Sequence, residues 1–354
     1  MNNIKAIGIM SGTSLDGVDI VACEFLKVGE TWRYNTIEGS TIKYTPQMYQ
    51  RLLNSHTLCG RDLALLHSDY GTYIGNLVRN FVQDINFTPD IVASHGYTVF
   101  HEPQLGMTLQ IGSGAHIATA CGINCVCDFR TTDVALGGNG APLVPIGDQL
   151  LFGNYAGCLN IGGFANLSFT NNNQRIAYDI CPANFVFNLL ARKMDLEYDV
   201  SGNTGRKGKC DSQLLDLLNS NNYYNTPAPK SLGREFVEQQ VLPLFGNRTD
   251  YDNLLCTYYH HAAQQIAANI DLAQGQVLVT GGGAYNTFLM ELIAQNCKIS
   301  TPIIGKKTDV ELKEAIIFAF LGALRISNQT NCLKSVTGAK FDNIGGCVYL
   351  GNTL

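Results

Sequence analysis

The stretch GIMSGTSLDGVD, Gly8 to Asp19, restricts the fold more than any other part of this chain. An apolar run from Lys5 to Met10 reads as a strand. It stops for Gly12, Thr13, Ser14, Leu15, Asp16 and Gly17, and strand alternation resumes at Val18-Asp19-Ile20-Val21. A strand that breaks for small and hydroxylated residues and continues at once is a hairpin with an open tip. Glycines leave no Cβ over the backbone amides, and Ser11, Thr13 and Ser14 add hydroxyl donors, so the tip can wrap an anion. LNIGGFANLSF repeats the pattern, with Gly162 and Gly163 between two strands. One such turn alone reads as an ordinary hairpin. Two at equivalent places read as a shared phosphate clamp on a domain duplicated once, with a cleft between the copies, and not as a short-period solenoid.

The surrounding periodicity agrees with duplication. Strands at Lys5–Met10, Val18–Leu26 and an edge-like Trp32–Tyr44 precede helices at 46–53 and 60–87. Strand Asp90–Ser94, a strand-like Thr108–Gly112, helix 113–122 and strand Asn124–Phe129 complete the first copy. From Gly157 the chain reads strand, glycine turn, strand, Asn-rich hairpin, strand. Helices Phe185–Met194, Gln213–Leu218 and Leu254–Ile270 follow, then strand Val277–Val279, helix Ala284–Asn296 and a last helix N-capped by Asp309. This order predicts an α/β protein made of a bent meander plus crossover units, twice over. The Gly- and Pro-rich segment 131–148 is the expected crossing point, giving an N-terminal lobe 1–130 and a C-terminal lobe 131–354.

Composition removes several function classes. Hydrophobic residues make up 45% and charged residues 15%, enough for large cores. A net charge of −5 and a pI near 5.8 argue against nucleic acid or an anionic membrane as partner. The most apolar run, AIIFAFLGAL from Ala315, is about half a membrane span. The apolar N-terminal run is too short for a signal peptide, so the expected location is the cytoplasm. Twelve scattered cysteines read as reduced core thiols. Cys121, Cys125 and Cys127 cluster, but no second pair at zinc spacing follows, so no metal site is assigned. GNTGRKGKC, 202–210, imitates a Walker loop and fails its spacing; HEPQL is not H-E-x-x-H, and no G-x-S-x-G elbow occurs.

A third glycine turn decides what remains. In VLVTGGGAYN a buried strand enters Gly281, Gly282 and Gly283 and then a helix, which lets backbone approach a flat or phosphorylated ligand. Three glycine turns on two copies of a meander α/β domain resemble the actin-like ATPase and sugar-kinase superfamily, two ribonuclease H-like domains with a cleft between them. More closely, GIMSGTSLDGVD, SHGYTVFHEP, TLQIG, CDFRTTDVALGGNGAPLVP, NIGGFANLSF and GGGAYN, in that order along almost the whole chain, resemble the anhydro-N-acetylmuramic acid kinases.

The resemblance implies a reaction of cell-wall sugar recycling: 1,6-anhydro-N-acetylmuramic acid, ATP and water give N-acetylmuramic acid 6-phosphate and ADP. ATP with Mg²⁺ is the implied cosubstrate, bound by Gly12 to Asp19, Gly162, Gly163 and Gly281 to Gly283; a homodimer is an assembly it allows. Asp179 matches the family's catalytic aspartate, although as a residue before a helix it also reads as an N-cap. Here Ile180, Cys181 and Ala183 replace the Thr, Gly and Gly of the commoner family pattern, so this backbone must avoid glycine-only conformations. Arg130 suits the lactyl carboxylate of a muramic acid. Asp128, two positions earlier and expected on the same strand face, suits the sugar hydroxyls or Arg130 itself. Glu314 matches a family glutamate at the sugar site and also reads as a macrodipole contact. His95 reads as a supporting residue; Asp16 and Asp19 lie near the phosphate turn, but a water-mediated Mg²⁺ leaves no spacing signature, so no direct ligand is assigned. A kinase of the same fold acting on an ordinary hexose, and a non-catalytic sugar or nucleotide sensor, are the rival readings.

Overall fold

In the computed structural model, which describes residues 3–351, the chain forms two compact units. The first runs to Leu151 and takes in the chain again from Leu312; the second is Phe152–Glu311. Segment 131–151 and the chain from 312 thus group with the first unit, where the sequence reading had assigned them to the second lobe. The reason is packing. The run Ala315–Leu324 of helix Lys307–Ile326 is buried on every side, and residues of the first unit pack on it: Gly8 backs onto the Ala315 carbonyl, Gly147 onto Ile317 and Gly322 onto Ala93. A helical segment apolar on every side belongs in a core.

The first sheet contains β1 (Asn3–Ser11), β2 (Val18–Val28), β3 (Thr31–Ile42), β4 (Ile91–Glu102), β5 (Met107–Ile111), β6 (Asn124–Cys127) and β12 (Cys347–Tyr349). Their order is β12-β6-β4-β1-β2-β3, with β5 paired to β4. The meander β1-β2-β3 is antiparallel, whereas β4 lies parallel to β1 and β6 parallel to β4. The second sheet holds β7 (Gly157–Ile161), β8 (Phe164–Asn171), β9 (Gln174–Pro182), β10 (Gln276–Thr280) and β11 (Thr301–Ile304), ordered β11-β10-β7-β8-β9. Again the first three strands are antiparallel, and β10 and β11 are parallel additions. Each sheet places its first strand centrally, its two successors on one side and parallel crossover strands on the other. This is the ribonuclease H-like sheet, present twice, as in actin-like ATPases.

Local sequence explains the scaffold beside the first turn. Thr45 caps helix Pro46–Leu53 by accepting the Met48 amide, and Pro46 opens it. Helix Gly60–Asp84 buries the stripe Leu66, Tyr70, Ile74, Val78 and Phe81. Its Gly71 and Gly75 let it approach helix Gly114–Cys121, where added Cβ atoms would sit 2.6 Å from the Ser113 carbonyl and 2.7 Å from the Ile117 carbonyl. β3 is an edge, with Trp32 packed edge-on against Phe320.

Three details depart from the sequence reading. β4 continues through SHGYTVFHE to Glu102, carried by Gly96 at φ 78°. The last helix begins at Lys307, which puts Asp309 inside its first turn and not at the cap. Strands β11 and β12 had no counterpart in the periodicity.

Candidate active site

In the first unit, β1 ends at Ser11 and β2 begins at Val18, leaving residues 12–17 as the turn. Leu15 takes a left-handed conformation, φ 59°, and its side chain is buried, so it plugs the turn into the core and leaves Thr13, Ser14 and Asp16 outside. The Leu15 amide donates to the Gly12 carbonyl (3.3 Å), and the Ser14 hydroxyl donates to Asp16 Oδ1 (2.9 Å). Half-buried Asp19 accepts the Thr41 hydroxyl at 2.6 Å. Burial pushes its carboxyl above the usual aspartate value; the Thr41 bond opposes this and Asp16 adds to it. Below the turn, the buried Tyr70 hydroxyl donates to Ser11 Oγ (2.6 Å) and meets Tyr44 at 3.0 Å. Tyr70 was missed from sequence. Its signal is a polar-tipped aromatic within an apolar helical stripe, which needs a partner when buried.

β6 stops at Cys127, earlier than expected, because Asp128 adopts φ 59°. Asp128 and Arg130 therefore share no strand face; Arg130 opens the short helix Thr131–Ala135. Nor are they an ion pair. Asp128 accepts the Thr131 hydroxyl. Arg130 brackets one atom, His95 Nε2, with its Nε at 3.1 Å and one terminal nitrogen at 2.8 Å. His95 Nδ1 then donates to the Gly96 carbonyl at 2.8 Å, so the ring is neutral with its proton on Nδ1. Burial and the neighbouring guanidinium hold His95 down at about 3. His95 orients Arg130 without competing for its charge, and no carboxylate among the described residues forms a salt bridge with Arg130. Glu314 keeps solvent access although protein encloses much of its carboxyl. That enclosure raises its pKa; Lys313 and Arg130 pull it down, and Asp19 and Asp148 push it up. Asp19, Arg130 and Glu314 thus form one electrostatic neighbourhood.

In the second unit, Gly162 and Gly163 form the turn between β7 and β8, and its carbonyls are already used. Gly163 O accepts the Ala183 amide (2.8 Å) and Gly162 O the Asn184 amide (3.2 Å), which ties the turn to the start of helix Asn184–Arg192. Gly281 has φ 81°, and a Cβ there would lie 2.6 Å from Asn160 Oδ1. Asn160 Nδ2 faces Gly162, so this residue, absent from the sequence reading, joins the two glycine turns. Gly283 packs on Ile161, whereas Gly282 is exposed with nothing within 4 Å of an added Cβ. If this turn takes adenosine, as the resemblance implies, Gly282→Ala should keep the melting temperature while raising KM for ATP about tenfold or more, through overpacking against the base. Gly281→Ala should instead lose about 1–3 kcal/mol of stability. An unchanged KM in Gly282→Ala would remove this turn from the ATP site.

Asp179 lies on β9 opposite Asn166, beside a bulge at Ile180. The cap of the following helix is Ala183, so Asp179 is not an N-cap. Its Oδ2 accepts the Leu232 amide (2.9 Å), its backbone amide donates to the Lys230 carbonyl (3.2 Å) and its carbonyl accepts the Tyr223 hydroxyl (2.6 Å). Oδ1 has no hydrogen bond among the described residues. Burial raises the carboxyl above the ordinary aspartate value, with the Leu232 amide opposing. A residue held at three points, two through its backbone and one through its carboxylate, with the other carboxylate oxygen open, has the form of a general base. No residue from Asp179 to Asn184 has a positive φ, so Ala183 replaces glycine without left-handed strain.

The family profile described as anhydro-N-acetylmuramic acid kinase matches residues 4–351. The chain belongs to the anhydro-N-acetylmuramic acid kinase family. Relatives bearing that name include those of Shewanella oneidensis, 36% identical over 98% of each chain, and Pseudomonas fluorescens, 35% identical over 97% of this chain and 98% of that one. The Synechococcus elongatus relative is 32% identical over 98% of this chain and 99% of its own. Among solved structures, the activator of the 2-hydroxyisocaproyl-CoA dehydratase from Clostridium difficile with bound ADPNP is similar at a TM-score of 0.43, with 13% identity over 92% of this chain and 97% of that one. As a member of the anhydro-N-acetylmuramic acid kinase family, the chain is an ATP-using kinase.

Proposed function

We propose that the enzyme opens 1,6-anhydro-N-acetylmuramic acid with water while phosphorylating O6, giving N-acetylmuramic acid 6-phosphate and ADP. Water attacks C1 and gives a proton to Asp179 Oδ1. The C1–O6 bond breaks as O6 forms its bond to the γ-phosphorus, and the bond from that phosphorus to ADP breaks. An inverting glycosidase needs a base and an acid; here phosphoryl transfer to O6 takes over the acid's role, so a single carboxylate suffices. The observation that carries the reading is Asp179, anchored through Oδ2 with Oδ1 left open.

The remaining residues take supporting roles in this proposal. The Gly12–Asp19 hairpin takes phosphate oxygens, Arg130 the lactyl carboxylate, and Asp128 and Glu314 the sugar hydroxyls, with His95 holding Arg130. Gly162, Gly163 and Gly281 to Gly283 take the nucleotide. Half-buried Arg130, with no salt bridge among the described residues, supports the carboxylate assignment, since its fork can pair both oxygens of a carboxylate. Mg²⁺ bound with ATP would neutralise the phosphate oxygens, and Asp16 and Asp19 are the carboxylates that would hold it. Two carboxylates, and not a cage of three or more, suit an ion that keeps its waters and phosphate oxygens. No described helix is long and apolar enough to cross a membrane, and we place the enzyme in the cytoplasm, where ATP is supplied.

Turnover in ¹⁸O-water tests the reaction. One ¹⁸O is expected in the sugar 6-phosphate, at C1, with ADP formed in equal amount. Phosphorylation with no label in the sugar, or with label in the phosphate, would overturn the hydrolytic opening.

A further inference from the structure

The cysteine cluster absent from the mechanism has a partner that the sequence spacing did not reveal. β12 pairs antiparallel with β6 so that Cys347 faces Cys127 and Tyr349 faces Cys125. Directly opposed residues share a sheet face, so all three cysteines and Tyr349 lie together. Opposed positions have Cα atoms roughly 4.5–5.5 Å apart, within the roughly 4.4–6.8 Å that a disulfide spans. Cys125 and Cys127, two residues apart on one strand, lie near the far end of that span.

The two opposed thiols are differently prepared. Cys127 is buried, with the Cys125 thiol and the Gly114 amide, at the start of helix Gly114–Cys121, as its polar neighbours. The Cys125 bond first, then the Gly114 amide, hold this thiol below its ordinary value against burial and the Asp128 charge. A Cβ on Gly114 would lie 2.5 Å from Cys127 Sγ, so glycine is what admits the sulfur to the helix start. Cys347, by contrast, is exposed, with its S–H directed at Asp128 Oδ2 (3.9 Å). Accessibility selects Cys347 as the sulfur that meets an oxidant, although burial and the charges of Asp128 and Cys127 raise its thiol, and the lowered Cys127 thiol opposite it is placed to resolve it.

We propose that Cys127 and Cys347 are an oxidation site for hydroperoxides, closing to a disulfide that ties β12 to β6 beside Asp128. The Cys347 sulfur attacks the peroxide oxygen, giving a sulfenic acid and one water. The Cys127 sulfur then attacks that sulfur, forming the S–S bond and releasing the second water. Two thiols lose two hydrogens and one hydrogen peroxide is reduced to two waters. The inference is independent of the proposed reaction.

The test uses the full-length native protein, titrated with hydrogen peroxide, quenched with N-ethylmaleimide and mapped by peptide mass spectrometry. The expected result is a linked pair of peptides containing Cys127 and Cys347, two hydrogens lighter than the reduced pair and restored by dithiothreitol. Cys347→Ser abolishes the link; being exposed at a sheet edge, it folds even where Cys127→Ser does not. In Cys127→Ser, dimedone traps a sulfenic acid at Cys347. The exposed-site variants Cys59→Ser and Cys210→Ser keep the link. Links through Cys121 or Cys125, links between molecules, or overoxidation of Cys347 with no link would overturn the proposal.

Discussion

Asp179→Asn is expected to lower kcat for ADP formation with the 1,6-anhydro sugar by about 10²–10⁴-fold, the range a positioned general base supplies. The fold should survive. An asparagine carbonyl still accepts the Leu232 amide, and the bonds from the Asp179 backbone to the Lys230 carbonyl and the Tyr223 hydroxyl use no side-chain atom of Asp179. KM for ATP should therefore stay near the wild-type value, because the glycine turns proposed for ATP are built from other residues. The pH profile gives the second readout. Only the carboxylate can take the proton from water, so activity falls as pH drops through the Asp179 pKa. Burial raises that pKa, which puts the acid limb of kcat/KM above the ordinary aspartate range. The residual activity of Asp179→Asn should lack this limb. A kcat within about threefold of wild type, or a limb that persists in the variant, would assign the base elsewhere.

What the sequence made legible follows from how local each signal is. Helix Pro46–Leu53 was readable to the residue because its start is written in neighbours, a Thr cap followed by Pro. Both glycine turns were readable because a hairpin tip is a local event. The misplacement of Asp128 arose because a non-glycine residue takes a left-handed conformation, held by the neighbouring Thr131 hydroxyl; nothing in CDFRTT marks the strand's end. The sequence reading ends β4 at Ser94, whereas the strand runs on through Gly96. In the fold it is the residue that lets β4 pass close to β5, since a Cβ there would lie 2.7 Å from the Ile111 carbonyl. The Arg130–His95 bond, the Asn160 link and the β12–β6 pairing all join residues distant in sequence, and a single sequence holds no record of such pairs. Asp179 shows the limit most clearly. Resemblance suggests the role proposed for it, but only the fold shows that the loop carrying Tyr223, Lys230 and Leu232 holds it in place.

Lys313→Met is expected to cost about 3–5 kcal/mol of stability, the loss typical when one partner of a buried ion pair is removed. Lys313 Nζ lies 3.3 Å from Asp148 Oδ1, with the side chains 5% and 4% exposed. The pair links helix Val144–Leu151 to helix Lys307–Ile326, where Gly147 already packs against Ile317. The penalty comes chiefly from keeping the Asp148 carboxylate buried with the positive charge of Lys313 removed. The double variant Lys313→Met/Asp148→Leu should therefore be markedly more stable than Lys313→Met alone, and urea unfolding of the two single variants and the double measures the coupling. The same cycle reports on the proposed sugar site. Lys313 lowers the pKa of Glu314 and Asp148 raises it, so Lys313→Met should move the Glu314 titration further up and Asp148→Leu should move it back. If the Glu314 carboxylate binds sugar hydroxyls, the acid-side rise in KM for the anhydro sugar should shift to higher pH in Lys313→Met and return in the double variant. A double variant as unstable as the sum of its singles would mean that shape, and not charge pairing, sets the stability. A KM profile unmoved in both would leave Glu314 outside the sugar site, with the helix anchored by the same pair all the same.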